Sequence, residues 1–211
     1  MAGSGEFRPE SERVTRQLRD DILDGVRKPG SKLVERELAA QMGVSRVPVR
    51  DARRVLVAEG LVTPRPRTWA VVREFVSDIA DLNEVRGALE ALTFRLAAQR
   101  RHRAGLDRLR SNLQEELKAA CAGDGVRARR AAADFHETVT SMAANELLSE
   151  LESTFRSRMR WLLGQHDDLM AIAREHEALY AAIADRNVAL VDELVAKHLE
   201  NSRHAMVAHH Q

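Results

Sequence analysis

The residues best placed to do chemistry are arginines. Between Ser45 and Arg67 the chain carries Arg46, Arg50, Arg53, Arg54, Arg65 and Arg67, against only Asp51 and Glu59. A guanidinium can take guanine O6 and N7 together. A serine hydroxyl, here Ser45, and the free N–H groups of a helix start suit phosphate oxygens. The chemistry indicated is recognition of a polyanion, at one end of the molecule. Residues 1–76 hold 15 Lys and Arg against 11 Asp and Glu, a net of +4. The remainder holds 18 against 21, a net of −3, so the formal charge of +1 conceals a basic end. A local basic patch on a near-neutral chain is an electrostatic footprint for nucleic acid; the plainer alternative is a solvated charged face.

A set of short elements must position those arginines. Residues 1–10 lack periodicity and read as a disordered N-terminus. From Ser11, Val14, Leu18, Ile22 and Leu23 fall on one helical stripe that stops near Gly25. Arg27–Leu33, RKPGSKL, reads as a Pro-Gly turn. A short helix from about Val34 to Met42 follows, and Gly43 ends it. Ser45 is the expected cap of a second helix, Arg46–Ala58, with Pro48 in its first turn, where a missing N–H is tolerated. Its inward stripe is Val49, Ala52 and Leu56, which leaves Ser45, Arg46, Val47, Pro48 and Arg50 at the leading end. Two β-like runs, Leu61–Thr63 and Trp69–Val72, flank an arginine-bearing tip, PRPRT. Helix, short helix, tight turn, helix, hairpin is the order of a winged helix-turn-helix. Its second helix of the pair enters the major groove by its N-terminal end.

From Ser77 onward the pattern is helical, with helices expected near 78–100, 104–122, 126–142, 145–164, 169–185 and 187–208. The fold class is therefore mainly α: a winged helix-turn-helix over 11–76 and an all-helical bundle over 77–211. Hydrophobic residues at 44% and charged residues at 31% fit a folded, soluble chain. No apolar run is long enough to span a bilayer and no signal peptide is visible, so the cytoplasm is the expected compartment. One cysteine, Cys121, rules out an internal disulfide and is expected to pack.

The stretch LVERELAAQMGVSRVPVRDARRVLVAEGLV resembles the GntR family, whose pattern is a helix ending in ELA, then GVSRxPVR, then EGLV. The match runs from Val14 to Val72. The resemblance implies DNA contacts at Arg36, Ser45, Arg46, Val47, Pro48 and Arg50, with Arg67 in the wing. The family usually has glycine after the wing arginine; this chain has Thr68.

The second half resembles the FCD ligand-binding domain of the FadR subfamily, through DIADLNEVRGALEALTFRLAA, DFHETVTSMAANELL and EHEALYAAIADRNVALVDELVAKHL. Six helices place it near the shorter, VanR-like group. Such domains bind a divalent metal through one Asp and three His, and His136, His176 and His198 match the histidines. The aspartate belongs four residues before the first histidine, where this chain has Ala132; Asp134 falls on another face. Three imidazoles can still hold Zn or Ni with open positions left for water or a ligand carboxylate. A metal-free pocket binding an anion through the same histidines is the competing reading. Arg86, in NEVRGALE, resembles a pocket-facing arginine that binds effector; its plainer role is a salt bridge to Glu90 one turn on.

The resemblance thus implies a homodimeric, ligand-responsive repressor on a palindromic operator, not an enzyme, whose effector is a small carboxylate. Two alternatives are a metal-dependent hydrolase carrying a DNA-binding head, which the three histidines would permit, and a constitutive DNA-binding protein with an empty helical core.

Overall fold

The computed structural model describes residues 10–66, 69–74, 79–164 and 168–209, the side chains of 205–209 excepted. The N-terminal stretch 1–9, the wing-tip pair Arg67 and Thr68, and the join at 75–78 lie outside the described residues. The chain divides into two compact units, 1–77 and 78–211.

In the first unit, α1 (Glu10–Leu23) begins one residue before the expected start, so Glu10 belongs to a helix. Val14, Leu18 and Ile22, four residues apart, bury one face of it. That face meets Val49, Ala52 and Leu56 of α3 (Arg46–Ala58). Arg19 of α1 fastens the far end of α3 through its Nε, 2.8 Å from Glu59 Oε2. Between them lies α2 (Glu35–Met42), closed by Gly43 at φ 65°, a left-handed turn that glycine adopts without a Cβ clash. This tight exit sets α3 against α2.

The segment read as a turn is partly a strand. β1 (Lys32–Val34) pairs antiparallel with β3 (Trp69–Val72), which also pairs with β2 (Val62–Arg65), giving the order β1-β3-β2. Leu33 lies opposite Ala70, and both are buried. Ala70 and Val72 face the core while Trp69 and Val71 face outward, as strand alternation requires. A three-residue strand has no periodicity of its own; its partner, more than thirty residues on, defines it.

Among the described residues the second unit has six helices: α4 (Ile79–Arg100), α5 (Arg103–Cys121), α6 (Gly125–Ala143), α7 (Glu146–Leu163), α8 (Leu169–Ala184) and α9 (Val188–His209). Their starts are capped by side chains: His102 accepts from Gly105 N, Asp124 from Arg127 N, Asn145 from Leu148 N and Asp168 from Ala171 N. Phe94, Leu109, Phe135, Val139, Leu179, Ile183, Val191 and Val195 form the shared core. At Gly105 a Cβ would lie 2.7 Å from Met142 Cγ, so any side chain there would force Met142 to move. Cys121, expected to pack, is exposed at the end of α5.

Candidate functional site

The leading turn of α3 is open to solvent. Ser45, Arg46 and Arg50 are exposed, and Val47 keeps 61% of its surface. Ser45 occupies the cap position with extended backbone, but its side chain makes no capping hydrogen bond, contrary to expectation. Pro48 departs from its place among the surface residues. It is buried beside Val49, because the third helical position faces the core, so it shapes the turn and leaves the surface to its neighbours. Arg36 and Arg65 are exposed, whereas Arg67 lies outside the described residues. Arg54 pairs with Asp51 at 3.4 Å.

One carboxylate beneath this surface was not singled out by sequence. Glu35, 1% exposed, receives Arg50 Nη2 at 3.5 Å and Arg53 Nη2 at 3.2 Å. A buried carboxylate between two guanidiniums ties α2 to α3, with Arg53 the closer partner and Arg50 at the limit of hydrogen-bond distance. Among the described residues Arg46 has no such tether, and it is exposed.

The second unit carries its polar chemistry inside. His136 of α6, His176 of α8 and His198 of α9 converge: one ring nitrogen of each lies within 4.8 Å of the others. The ring centroids are 5.0 to 5.6 Å apart. Phe135 stacks on His176 at 4.5 Å and fixes that ring's plane.

Each imidazole has its own carboxylate at Nδ1. Glu90 of α4 lies 3.2 Å from His136, Glu116 of α5 lies 2.8 Å from His176, and Glu175 of α8 lies 2.6 Å from His198. Asn201 donates to the other oxygen of Glu175. A carboxylate at Nδ1 favours the Nδ1–H tautomer and leaves the Nε2 lone pair for another partner. Among the described residues, His136 Nε2 and His176 Nε2 are buried without one, as is Glu90 Oε2. His198 Nε2 lies 2.9 Å from Arg86 Nη2. The Arg86 guanidinium also donates to Glu90 Oε1 at 2.9 Å and to Ser202 Oγ. The salt bridge considered for Arg86 is therefore present, and the same residue lines the adjoining cavity.

Burial sets the protonation states. It pushes His136 below its ordinary range and His198 down to about 3, so both are neutral. Burial alone would raise the Glu90 carboxyl, but Arg86 and then His136 outweigh it and hold Glu90 well below the usual carboxylate range. Neutral imidazoles with inward lone pairs are the protonation state a metal requires. The unpartnered Nε2 atoms of His136 and His176 and the carboxylate behind each of the three rings fit a divalent metal, while His198 Nε2 is engaged by Arg86; Ala132, buried where the family has its aspartate, offers only a methyl. Asp134 is exposed and stands apart from the cluster.

Beside the histidines is a cavity of about 130 Å3 between α4, α6 and α7. Arg86, Glu90 and His136 form its inner wall; Thr93, Thr140 and Glu152 line one end. Glu116, Glu175 and Glu152 were not anticipated. A signal existed for the first, since Leu109, Leu113, Glu116 and Ala120 form one buried stripe and an acid there needs a partner.

Comparison with known proteins follows the same division. The model for bacterial regulatory proteins of the gntR family matches residues 10–72, and the FCD domain model matches residues 81–201. The regulator LutR of Bacillus subtilis is 31% identical over 206 residues, covering 85% of this chain and 93% of LutR. A probable repressor of a D-xylose utilization operon from Paenarthrobacter nicotinovorans is 31% identical, covering 94% of this chain and 88% of its own length. Among solved structures, Escherichia coli McbR/YncC superposes with a TM-score of 0.85 at 21% identity, over 97% of this chain and 100% of that one. A GntR regulator from Rhodococcus sp. RHA1 gives 0.79 at 24% identity, over 95% and 99%. These two share the fold.

Proposed function

This chain belongs to the GntR family of bacterial transcription regulators and carries an FCD domain, and from that premise we propose that it is a homodimeric repressor whose operator affinity is set by a small carboxylate bound beside a metal in the helical domain. Two heads related by a two-fold axis read a palindromic operator, with Arg46 and Arg50 at base edges and Arg36, Ser45 and the wing on the backbone. Among the described residues no helix is long and apolar enough to cross a membrane. A regulator of this kind works on DNA in the cytoplasm.

The observation that carries the sensing half is the group of buried acceptors without partners, His136 Nε2, His176 Nε2 and Glu90 Oε2, next to a cavity. Buried polar atoms are left in that condition when a ligand completes them. His136 and His176 would hold Zn or Ni through Nε2, joined by His198 in exchange for its contact with Arg86 Nη2, and the metal would supply a Lewis-acid centre. Ala132 leaves the fourth position to water, and Arg86 supports the inner wall. An effector then shifts the balance between arrangements of the two heads only by binding one of them better. A hydrolase is the less favoured reading, because Glu90, Glu116 and Glu175 are each tied to an imidazole rather than placed as a general base.

The test joins two measurements. Selection from random duplexes with the full chain should return an inverted repeat, and elemental analysis after zinc or nickel supplementation should give one metal per chain. His176→Ala should lose that metal and keep the selected sequence. Wild-type protein that retains no metal would transfer the sensing role to direct anion binding; a selection without sequence preference would remove the operator reading.

A further inference from the structure

The cavity is polar in a directed way, and named contacts fix how its helices run past one another. At one end Thr93 of α4 and Thr140 of α6 both meet Glu152 of α7, Thr93 Oγ1 at 2.7 Å from Oε1 and Thr140 Oγ1 on Oε2. At the other end stands Arg160, two turns further along α7. Like Glu152 it lines the cavity, as does Glu137 of α6. Glu152 and Arg160 are eight residues apart, about 12 Å along a helix at ~1.5 Å per residue. Arg156 lies between them and is exposed toward solvent. Along α7 the wall thus passes from one carboxylate to two guanidiniums.

The carboxylate end has acceptor capacity to spare. Thr93 Oγ1 is also 2.8 Å from its own helix carbonyl, Leu89 O, and Thr140 Oγ1 is 3.1 Å from His136 O. A hydroxyl carries one proton, so neither threonine satisfies both of its acceptors. Glu152 therefore receives at most part of what its oxygens can accept. Glu90 Oε2, partway along the inner wall, is a second unsatisfied acceptor. Leu89, Phe155 and Met159 supply an apolar stretch between the ends.

Resting on the reading of this cavity as the effector site, the geometry points to a short zwitterion with its charges at opposite ends, an ω-amino acid. Its ammonium group meets Glu152 between Thr93 and Thr140, its methylenes lie along Leu89, Phe155 and Met159, and its carboxylate faces Arg156 and Arg160. A dicarboxylate of the same length would set a second anion against Glu152. A plain alkyl acid would set a methyl group against that carboxylate and bring it no donor beyond the two threonines. The volume, about 130 Å3, lies below the ~300–1,000 Å3 typical of drug-sized ligand sites and suits a short chain.

The test is titration calorimetry on the full chain loaded with zinc, using 4-aminobutyrate, 5-aminopentanoate and 6-aminohexanoate against the matched acids pentanoate and glutarate. One amino acid should bind at least about tenfold more tightly than both matched acids, a difference of ~1.4 kcal/mol. Glu152→Gln, which keeps the shape and can still meet both threonines, should erase that margin without changing zinc content, thermal midpoint or operator affinity. Pentanoate or glutarate binding as well as the amino acids would overturn the zwitterion and leave the sensor reading intact. Binding by none of the five, or a margin that survives Glu152→Gln, would overturn it too. The sensor reading answers separately to the metal and operator measurements.

Discussion

The two units handle buried acid in opposite ways. In the head, Glu35 is shared by Arg50 and Arg53, and the reading surface is the exposed turn above it. In the helical domain, Glu90, Glu116 and Glu175 each stand behind one imidazole, and the chemistry is inside. The head presents finished donors to a partner that arrives from solvent. The helical domain holds acceptors without protein partners in its interior, His136 Nε2, His176 Nε2 and Glu90 Oε2 among the described residues. Mutations in the head should therefore act mainly on binding, and mutations in the helical domain mainly on stability and ligand occupancy.

The largest effect is expected from Arg86→Ala. Arg86 is fully buried and partners Glu90, His198 and Ser202. Its removal strands an ionised, buried carboxylate, a lesion of about 3–5 kcal/mol. Urea unfolding of metal-free protein should show it, and Arg86→Leu combined with Glu90→Leu should recover most of the loss, since removing both charges leaves nothing to solvate. Arg50→Ala should cost much less, because Arg53 still serves Glu35. Equal losses for Arg86→Ala and Arg50→Ala would break the contrast.

Acid should act on the same region. His136 and His198 have depressed pKa values in the folded chain, so below pH 6.5 the unfolded chain binds protons that the folded chain does not. Stability of the metal-free protein should therefore be fully present above that value. It should fall as pH drops toward the His198 value of about 3, with Glu90 adding to the fall below its ordinary 4.5. Protons compete with metal for the same nitrogens, so zinc affinity should fall in the same direction. Unfolding midpoints in urea at pH 7.5, 6.5 and 5.5 check the first statement; a flat profile would contradict it.

In the head the expected loss is of affinity. Arg46→Ala should weaken operator binding by about 1–3 kcal/mol and relax base preference at one position of each half-site, with the unfolding midpoint unchanged. Fluorescence anisotropy with the selected operator and single-base variants reads both. An unchanged affinity would take Arg46 out of the reading set and shift the burden to Arg50.

The difference between the units also explains what the sequence disclosed. Ser45, Arg46, Val47 and Arg50 are neighbours in the chain, and a helix turn is enough to place them together, so the leading end of α3 was legible. Pro48 joined that set by family position, and as the third helical residue it is buried. β1 was missed because its partner strand lies far along the chain. The histidines were legible only as a family pattern. Their carboxylates come from α4, α5 and α8, and no spacing within one helix couples Glu116 to His176, sixty residues away. The cavity needs three helices at once. Thr93, Thr140 and Glu152 are ordinary surface-type residues until packing brings them together.

The smallest effect should come from the wing. Arg65 is exposed on β2, and among the described residues it is the wing's own arginine. If it touches only phosphate, Arg65→Ala should weaken operator and unrelated duplexes alike, and lower the slope of log affinity against log salt by about 1. The specificity ratio should not move. That outcome would sharpen the division inside the head itself, with α3 reading bases and the hairpin holding the backbone. A loss confined to the operator would instead make the wing a reader, and Arg65 would join Arg46 as a determinant of sequence rather than of grip.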